Sequence, residues 1–224
     1  MKRSVAIDGP SGAGKSTLAK SVSKRFGFVY VDTGAIYRAV GLYVRQKGVH
    51  SKDAPAVEKL LPEIKIDIEY DSDGNQHILL NGEDVSGKIR EPEISIYASD
   101  VSAMPAVRAF LLDMQRSLAE RYDVVMDGRD IGTVVLPKAS VKIFLTASQE
   151  ERARRRHKEL TEKGIACTYE EVLRDMQYRD KNDSSREIAP LKPAADSILL
   201  DTTELGFEES ADRIAQIISE RLGI

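Results

Sequence analysis

Residues 9–16 read Gly9-Pro10-Ser11-Gly12-Ala13-Gly14-Lys15-Ser16, which fits G-x-x-x-x-G-K-[ST] at every fixed position. The flanks give this spacing its meaning. Residues 4–7 form a short apolar run, and helical periodicity begins at Lys15, so the segment turns the chain from strand to helix. Glycines at such a turn let backbone N–H groups point inward, and the helix N-terminus adds partial positive charge. The expected ligand is a polyphosphate. Lys15 then reaches the β- and γ-phosphates, the Ser16 hydroxyl ligates magnesium, and Thr17 closes the nucleotide-binding stretch that starts at Gly9.

The rest of the chain repeats this strand-to-helix rhythm. An apolar run at 28–31 precedes a helix over 35–46, and two such units in succession predict a parallel sheet covered by helices. The pattern breaks at 64–85, where residues alternate apolar and charged and Asp73-Gly74 and Asn81-Gly82 supply turns. This reads as a small antiparallel insert. Helices are expected over 92–103 and over Pro105–Arg121, with Pro105 suited to a first turn. Strands at 123–126 and 141–145 follow, then helices over 149–163 and 169–181, a strand at 198–200 and a helix over Phe207–Leu222. At 224 residues the chain suits one compact α/β domain with insertions.

Two acids compete to organise magnesium: Asp127 at the end of one apolar strand and Asp8 at the end of the first. Capping a turn explains either equally well. Arg152, Arg155 and Arg156 are spaced to share a helical face, and so are Arg179, Asp183 and Arg186. A solvated surface paired with Glu150, Glu151 and Glu159 accounts for the first set. Beside a phosphate loop, an arginine lid over a second phosphate accounts for it better. A guanine-reading Asn-Lys-x-Asp segment is missing, which argues against a GTPase switch, and the D-x-x-G match at Asp84-Val85-Ser86-Gly87 is too short to weigh.

Over nearly its whole length the chain resembles the bacterial cytidylate kinases, P-loop nucleoside monophosphate kinases. The resemblance rests on the phosphate loop together with Asp32-Thr33-Gly34-Ala35-Ile36-Tyr37-Arg38, Asp127-Gly128-Arg129-Asp130-Ile131-Gly132-Thr133-Val134-Val135, Arg179-Asp180 and Asp183 through Arg186. It implies transfer of the ATP γ-phosphoryl group to CMP or dCMP, with magnesium. It also implies that Arg38 and Arg129 grip the CMP phosphate and that Ser99, Arg108 and Asp130 face cytosine. Thr33 sits by base and phosphate, and Arg179, Asp183 and Arg186 hold sugar and phosphate. Arg152, Arg155 and Arg156 become lid residues over ATP, so the expected catalytic set is Lys15, Asp127, Arg129 and these three. The same resemblance divides the chain into a core (1–32, 106–150 and 169–224), an acceptor-binding region (33–105, with the insert at about 63–90) and a lid (151–168). Tyr37 is expected to pack rather than react.

Composition limits the partners. With 33 basic and 36 acidic residues the formal charge is −3, so no basic field marks nucleic-acid binding. One cysteine, Cys167, excludes an internal disulfide, and with only His50, His77 and His157 beside it argues against structural zinc. No apolar run is long enough for a membrane span. A cytoplasmic monomer is the expectation.

Overall fold

The computed structural model describes residues 2–224. The chain opens with β1 (Ser4–Asp8), α1 (Lys15–Phe26), β2 (Val29–Asp32) and α2 (Thr33–Gln46). A short α3 (Ala54–Leu60) leads into β3 (Ile66–Tyr70), β4 (Gln76–Leu80) and β5 (Glu83–Asp84). Then come α4 (Pro92–Val101), α5 (Pro105–Arg121), β6 (Val124–Gly128) and β7 (Val141–Thr146). The chain closes with α6 (Gln149–Glu162), α7 (Tyr169–Ser184), β8 (Ile198–Asp201) and α8 (Phe207–Leu222).

Five strands form one sheet in the order β2-β6-β1-β7-β8, every neighbour parallel. A parallel sheet is covered on both faces, so its central strands are apolar at every position rather than at alternate ones. Val5, Ala6, Ile7, Val124, Val125 and Met126 are accordingly all buried. Val5 and Ile7 face α1 and α8, packing with Leu18, Val22, Ile214 and Ile218. Ala6, Val124 and Met126 face the other way, onto Leu118 of α5 and onto Ile131. Register brings Asp32 opposite Asp127, and Asp8 opposite Gly128, so the acids gather at the carboxyl edge of the sheet. Open α/β sheets bind ligands at that edge.

The expected parallel sheet and antiparallel insert are both present, with three differences. Helix α3 has no counterpart in the sequence reading: its seven residues bury only Val57, too few to show a period, and Asp53 caps it by accepting from Ala56 N. β3 starts at Ile66 because residues 61–63 make a 3₁₀ turn first. Residues Ile131–Val135 form one π-helical turn after β6.

The insert shares a core with the acceptor-side helices. Ile66, Ile78 and Leu80 pack in one cluster with Ile36 and Val40 of α2 and Ile94 of α4. Side chains also tie it to the main sheet. Gln76 Oε1 accepts from Asp32 N at 2.8 Å, Gln76 Nε2 donates to Asp32 O at 3.2 Å, and the Tyr70 hydroxyl donates to Tyr30 O at 3.0 Å. Among the described residues no helix is long and apolar enough to cross a membrane.

Helix α4 lies directly on α2, and Gly41 makes the approach possible: a Cβ there would sit 3.0 Å from both Ala98 N and Tyr97 Cβ. Overpacking at such a crossing typically costs about 1–3 kcal/mol. Gly41→Val should therefore lower unfolding stability by roughly that amount in urea titration. Because it displaces the helix carrying Ser99, it should also weaken ligand binding at that wall; an unchanged stability would show that α4 is free to move.

Candidate active site

A cleft of ≈ 1140 Å³ runs across the carboxyl edge of the sheet. At one end the phosphate loop contributes Ser11, Gly12, Gly14, Lys15, Ser16 and Thr17. Gly9, Pro10 and Ala13 lie behind them, Pro10 O accepting from Lys15 Nζ at 2.7 Å. Burial pushes the Lys15 ammonium well below its usual range, and the neighbouring Arg129 charge adds to the effect.

The two competing acids have different surroundings. Asp127 lines the cleft; its Oδ2 accepts from the Ser16 hydroxyl at 2.9 Å and its Oδ1 from the Tyr30 hydroxyl at 3.0 Å. Asp8 faces inward, taking the Ile131 and Gly132 N–H groups at 2.7 Å each. Magnesium usually binds one or two protein oxygens and takes the rest from phosphate and water. One hydroxyl and one carboxylate side by side beside a phosphate loop suit it, and among the described residues no cluster of three or more His, Cys, Asp or Glu forms a protein cage. Ser16 and Asp127 are thus the residues that could hold it. Burial raises the Asp127 carboxyl to about 6, with the Asp32 charge adding to the shift.

Thr33, Arg38, Ser99, Arg108, Arg129, Asp130, Arg179, Asp183 and Arg186 all line the same cleft. Asp183 collects three donors: Ser99 Oγ at 2.9 Å, Arg129 Nε at 2.7 Å, and Arg186. Burial disfavours its charge, but Arg129, Arg186 and Arg179 together hold its carboxyl below the usual range. Arg38 pairs with Asp32 at 3.1 Å, and Thr33 Oγ1 donates to Asp127 O at 2.7 Å. Arg108 pairs with Asp130, and both are buried. Burial raises the Asp130 carboxyl despite Arg108 and Arg186 nearby. The Nε groups of Arg38, Arg179 and Arg186 are buried without a hydrogen-bond partner, and burial among like charges brings Arg179 down to about 10. Buried, underpaired guanidinium groups are what an anionic group would satisfy.

The cytidylate kinase family model matches residues 5–220. A cytidylate kinase of Thermosipho melanesiensis is 51% identical over 217 residues, covering 97% of each chain. The chain belongs to the cytidylate kinase family. A second family member, from Caldicellulosiruptor saccharolyticus, is 47% identical over 222 residues, covering 99% of this chain and 98% of its own. A solved structure of an uncharacterized protein from Eubacterium ventriosum superposes with TM-score 0.53 at 13% identity, covering 97% of this chain and 99% of that one, which shows the fold alone.

In this family member the three arginines expected in a lid diverge. Arg155 and Arg156 line the cleft, Arg155 donating to Thr202 O at 2.6 Å and Arg156 pairing with Glu159 at 2.8 Å. Arg152 does not line it: the guanidinium is turned inward onto Ser11 O, Ala147 O and Asp180. Helical spacing places side chains on a face but does not say which of them a neighbouring helix will cover. Arg154, passed over in the sequence, lines the cleft instead. Sequence reasoning also missed Arg90 and Gln76 from the insert, and Leu205, Gly206, Phe207 and Ser210. The last four follow the carboxyl end of β8, where the strand-end rule could have found them. Gln76 offered no local signal.

Burial pushes the Asp8 carboxyl up to about 6. An acid whose folded value is raised binds its proton more tightly when folded, so it adds stability at low pH that is lost as pH rises through about 6. Relative to Asp8→Asn, the wild-type chain should gain roughly 2 kcal/mol between pH 7.5 and about pH 4.5, read from urea unfolding at each pH. Parallel pH profiles for the two proteins would place the Asp8 proton elsewhere.

Proposed function

We propose that the chain transfers the γ-phosphoryl group of ATP to CMP or dCMP, giving ADP and CDP or dCDP. The observation that carries this reading is one cleft lined both by the phosphate loop and by the buried Arg108–Asp130 pair, with further guanidinium groups among its lining residues. Cytosine presents an N4 donor where uracil presents an O4 acceptor, and a carboxylate accepts from the first and repels the second. Arg108 holds the Asp130 carboxylate in place and can donate to N3 or O2 of the base.

Shared lining of one cleft supports the following roles. Gly9 through Thr17 bind the ATP phosphates, and Arg38, Arg129 and Arg179 bind the acceptor phosphate. Ser99, Asp183 and Arg186 serve the sugar, phosphate and base edges, with Thr33 beside them. Arg155 and Arg156 close from the lid at 151–168. Magnesium, held through Ser16 and Asp127, supplies charge neutralisation at the donor phosphates when bound. The acceptor phosphate has a second pKa near about 6 and is already an attacking anion at neutrality, so no residue need remove a proton. The chain's task is to align two repelling anions in line, neutralise the moving charge with Lys15 and the arginines, and exclude water that would hydrolyse ATP. A cytoplasmic monomer is the proposed working form.

A coupled ADP-release assay across CMP, dCMP, UMP and AMP tests the assignment. CMP or dCMP should lead UMP and AMP by about tenfold or more in kcat/KM, in line with the roughly 1–3 kcal/mol cost of an unpaired buried polar group. Asp130→Ala should lose CMP turnover by a similar factor while the KM for ATP moves less than about threefold. Equal rates with UMP, or an equal loss on the ATP side, would remove Asp130 from base selection.

A further inference from the structure

The Arg179-Asp180 pair sends one residue to the acceptor end of the cleft. Asp180 does something else: its carboxylate grips the phosphate loop from outside. Oδ1 accepts from Ser11 N at 3.0 Å, while Oδ2 accepts from Arg152 Nη1 at 2.6 Å. The same Arg152 Nη1 donates to Ser11 O at 2.7 Å, and Arg152 Nε is anchored on Ala147 O at 3.0 Å. One ion pair between α6 and α7 therefore clamps both backbone polar groups of Ser11. The neighbouring residue is enclosed as well. Gly12 has φ +71°, and a Cβ there would stand 2.7 Å from Met176 Cε and 2.9 Å from Arg152 O. The two helices press on the back of the loop, leaving its concave side to the cleft.

We propose that Asp180 and Arg152 are positioning residues that preorganise the phosphate loop for the donor polyphosphate, Arg152 acting from behind the loop rather than on the transferred group. The proposal rests on reading the loop as the ATP site. Gly9, Gly12 and Gly14 make the loop conformationally costly to order, because glycine loses the most backbone freedom. A clamp that orders it before ligand arrives keeps that cost out of the binding step, and fixed amides need no reorganisation as charge develops. The next turn of α7 has separate anchors. Asp183 is held by Ser99 and Arg129, and Asn182 Nδ2 donates to Ser99 O at 3.0 Å. Loosening the clamp should therefore reach the donor end selectively.

Calorimetric titration of ATP and of CMP, each alone, tests this on wild type, Asp180→Asn and Asp180→Ala. Asp180→Asn keeps an acceptor for Ser11 N but loses the charge facing Arg152, so ATP Kd should rise about tenfold, and further in Asp180→Ala. CMP Kd should stay within about twofold, and kcat/KM for ATP should fall more than kcat at saturation. Adding Arg152→Met to Asp180→Ala should weaken ATP binding little further, since the two residues act as one unit. Should Asp180→Ala fail to fold, the isosteric Asp180→Asn carries the same reading. ATP affinity unchanged in Asp180→Asn, or an equal loss for both nucleotides, overturns the positioning role. A wild-type chain that binds ATP but not CMP would instead count against the proposed acceptor.

Discussion

Repulsion among buried positive charges is the constraint that the rest of the structure answers. Lys15, Arg38, Arg108, Arg129, Arg179 and Arg186 crowd one cleft. At about 4 Å and an effective dielectric near 20, two like charges repel by about 4 kcal/mol. Asp32, Asp130 and Asp183 are set among them as counter-charges, each paired with at least one of these guanidinium groups. The pairing is incomplete, as the unpartnered Nε groups of Arg38, Arg179 and Arg186 show. A site with this deficit favours anions over neutral ligands, and the folded chain keeps it only because the sheet and helices fix each guanidinium in place.

The sheet does that fixing through register. Parallel pairing sets Asp32 beside Asp127 and Asp8 beside Gly128, so residues far apart in sequence arrive at one edge. Of the acids delivered there, Asp8 serves the backbone of the turn after Asp130, while Asp127 meets Ser16. Two carboxylates with similar burial and both raised to about 6 thus have different partners, and partner rather than titration separates their roles.

Much of this was legible in the sequence because it is local. A glycine loop between a strand and a helix, β-branched runs, and proline at a helix start each specify backbone within a few residues, and Pro105–Arg121 and Phe207–Leu222 begin and end as expected. What escaped was set by contacts between distant segments. Helix α3 is too short to show periodicity. Nothing near Asp8 or Asp127 reveals which one turns toward Ser16. Arg152 has the spacing of a lid residue, but Asp180 on the next helix draws it inward. The candidate acceptor residues were found through whole motifs, since no single serine or arginine among them is distinctive alone.

The hydrogen bonds from Gln76 and Tyr70 to β2 have a consequence for solubility. β2 is the outermost strand of the five-stranded sheet, so one row of its backbone groups has no strand to pair with. Asp32 N, Asp32 O and Tyr30 O meet insert side chains instead of a neighbouring strand. Open edges recruit strands from other molecules. The insert therefore acts as an edge guard, and a chain trimmed of it would present a bare ribbon to its own copies in concentrated solution.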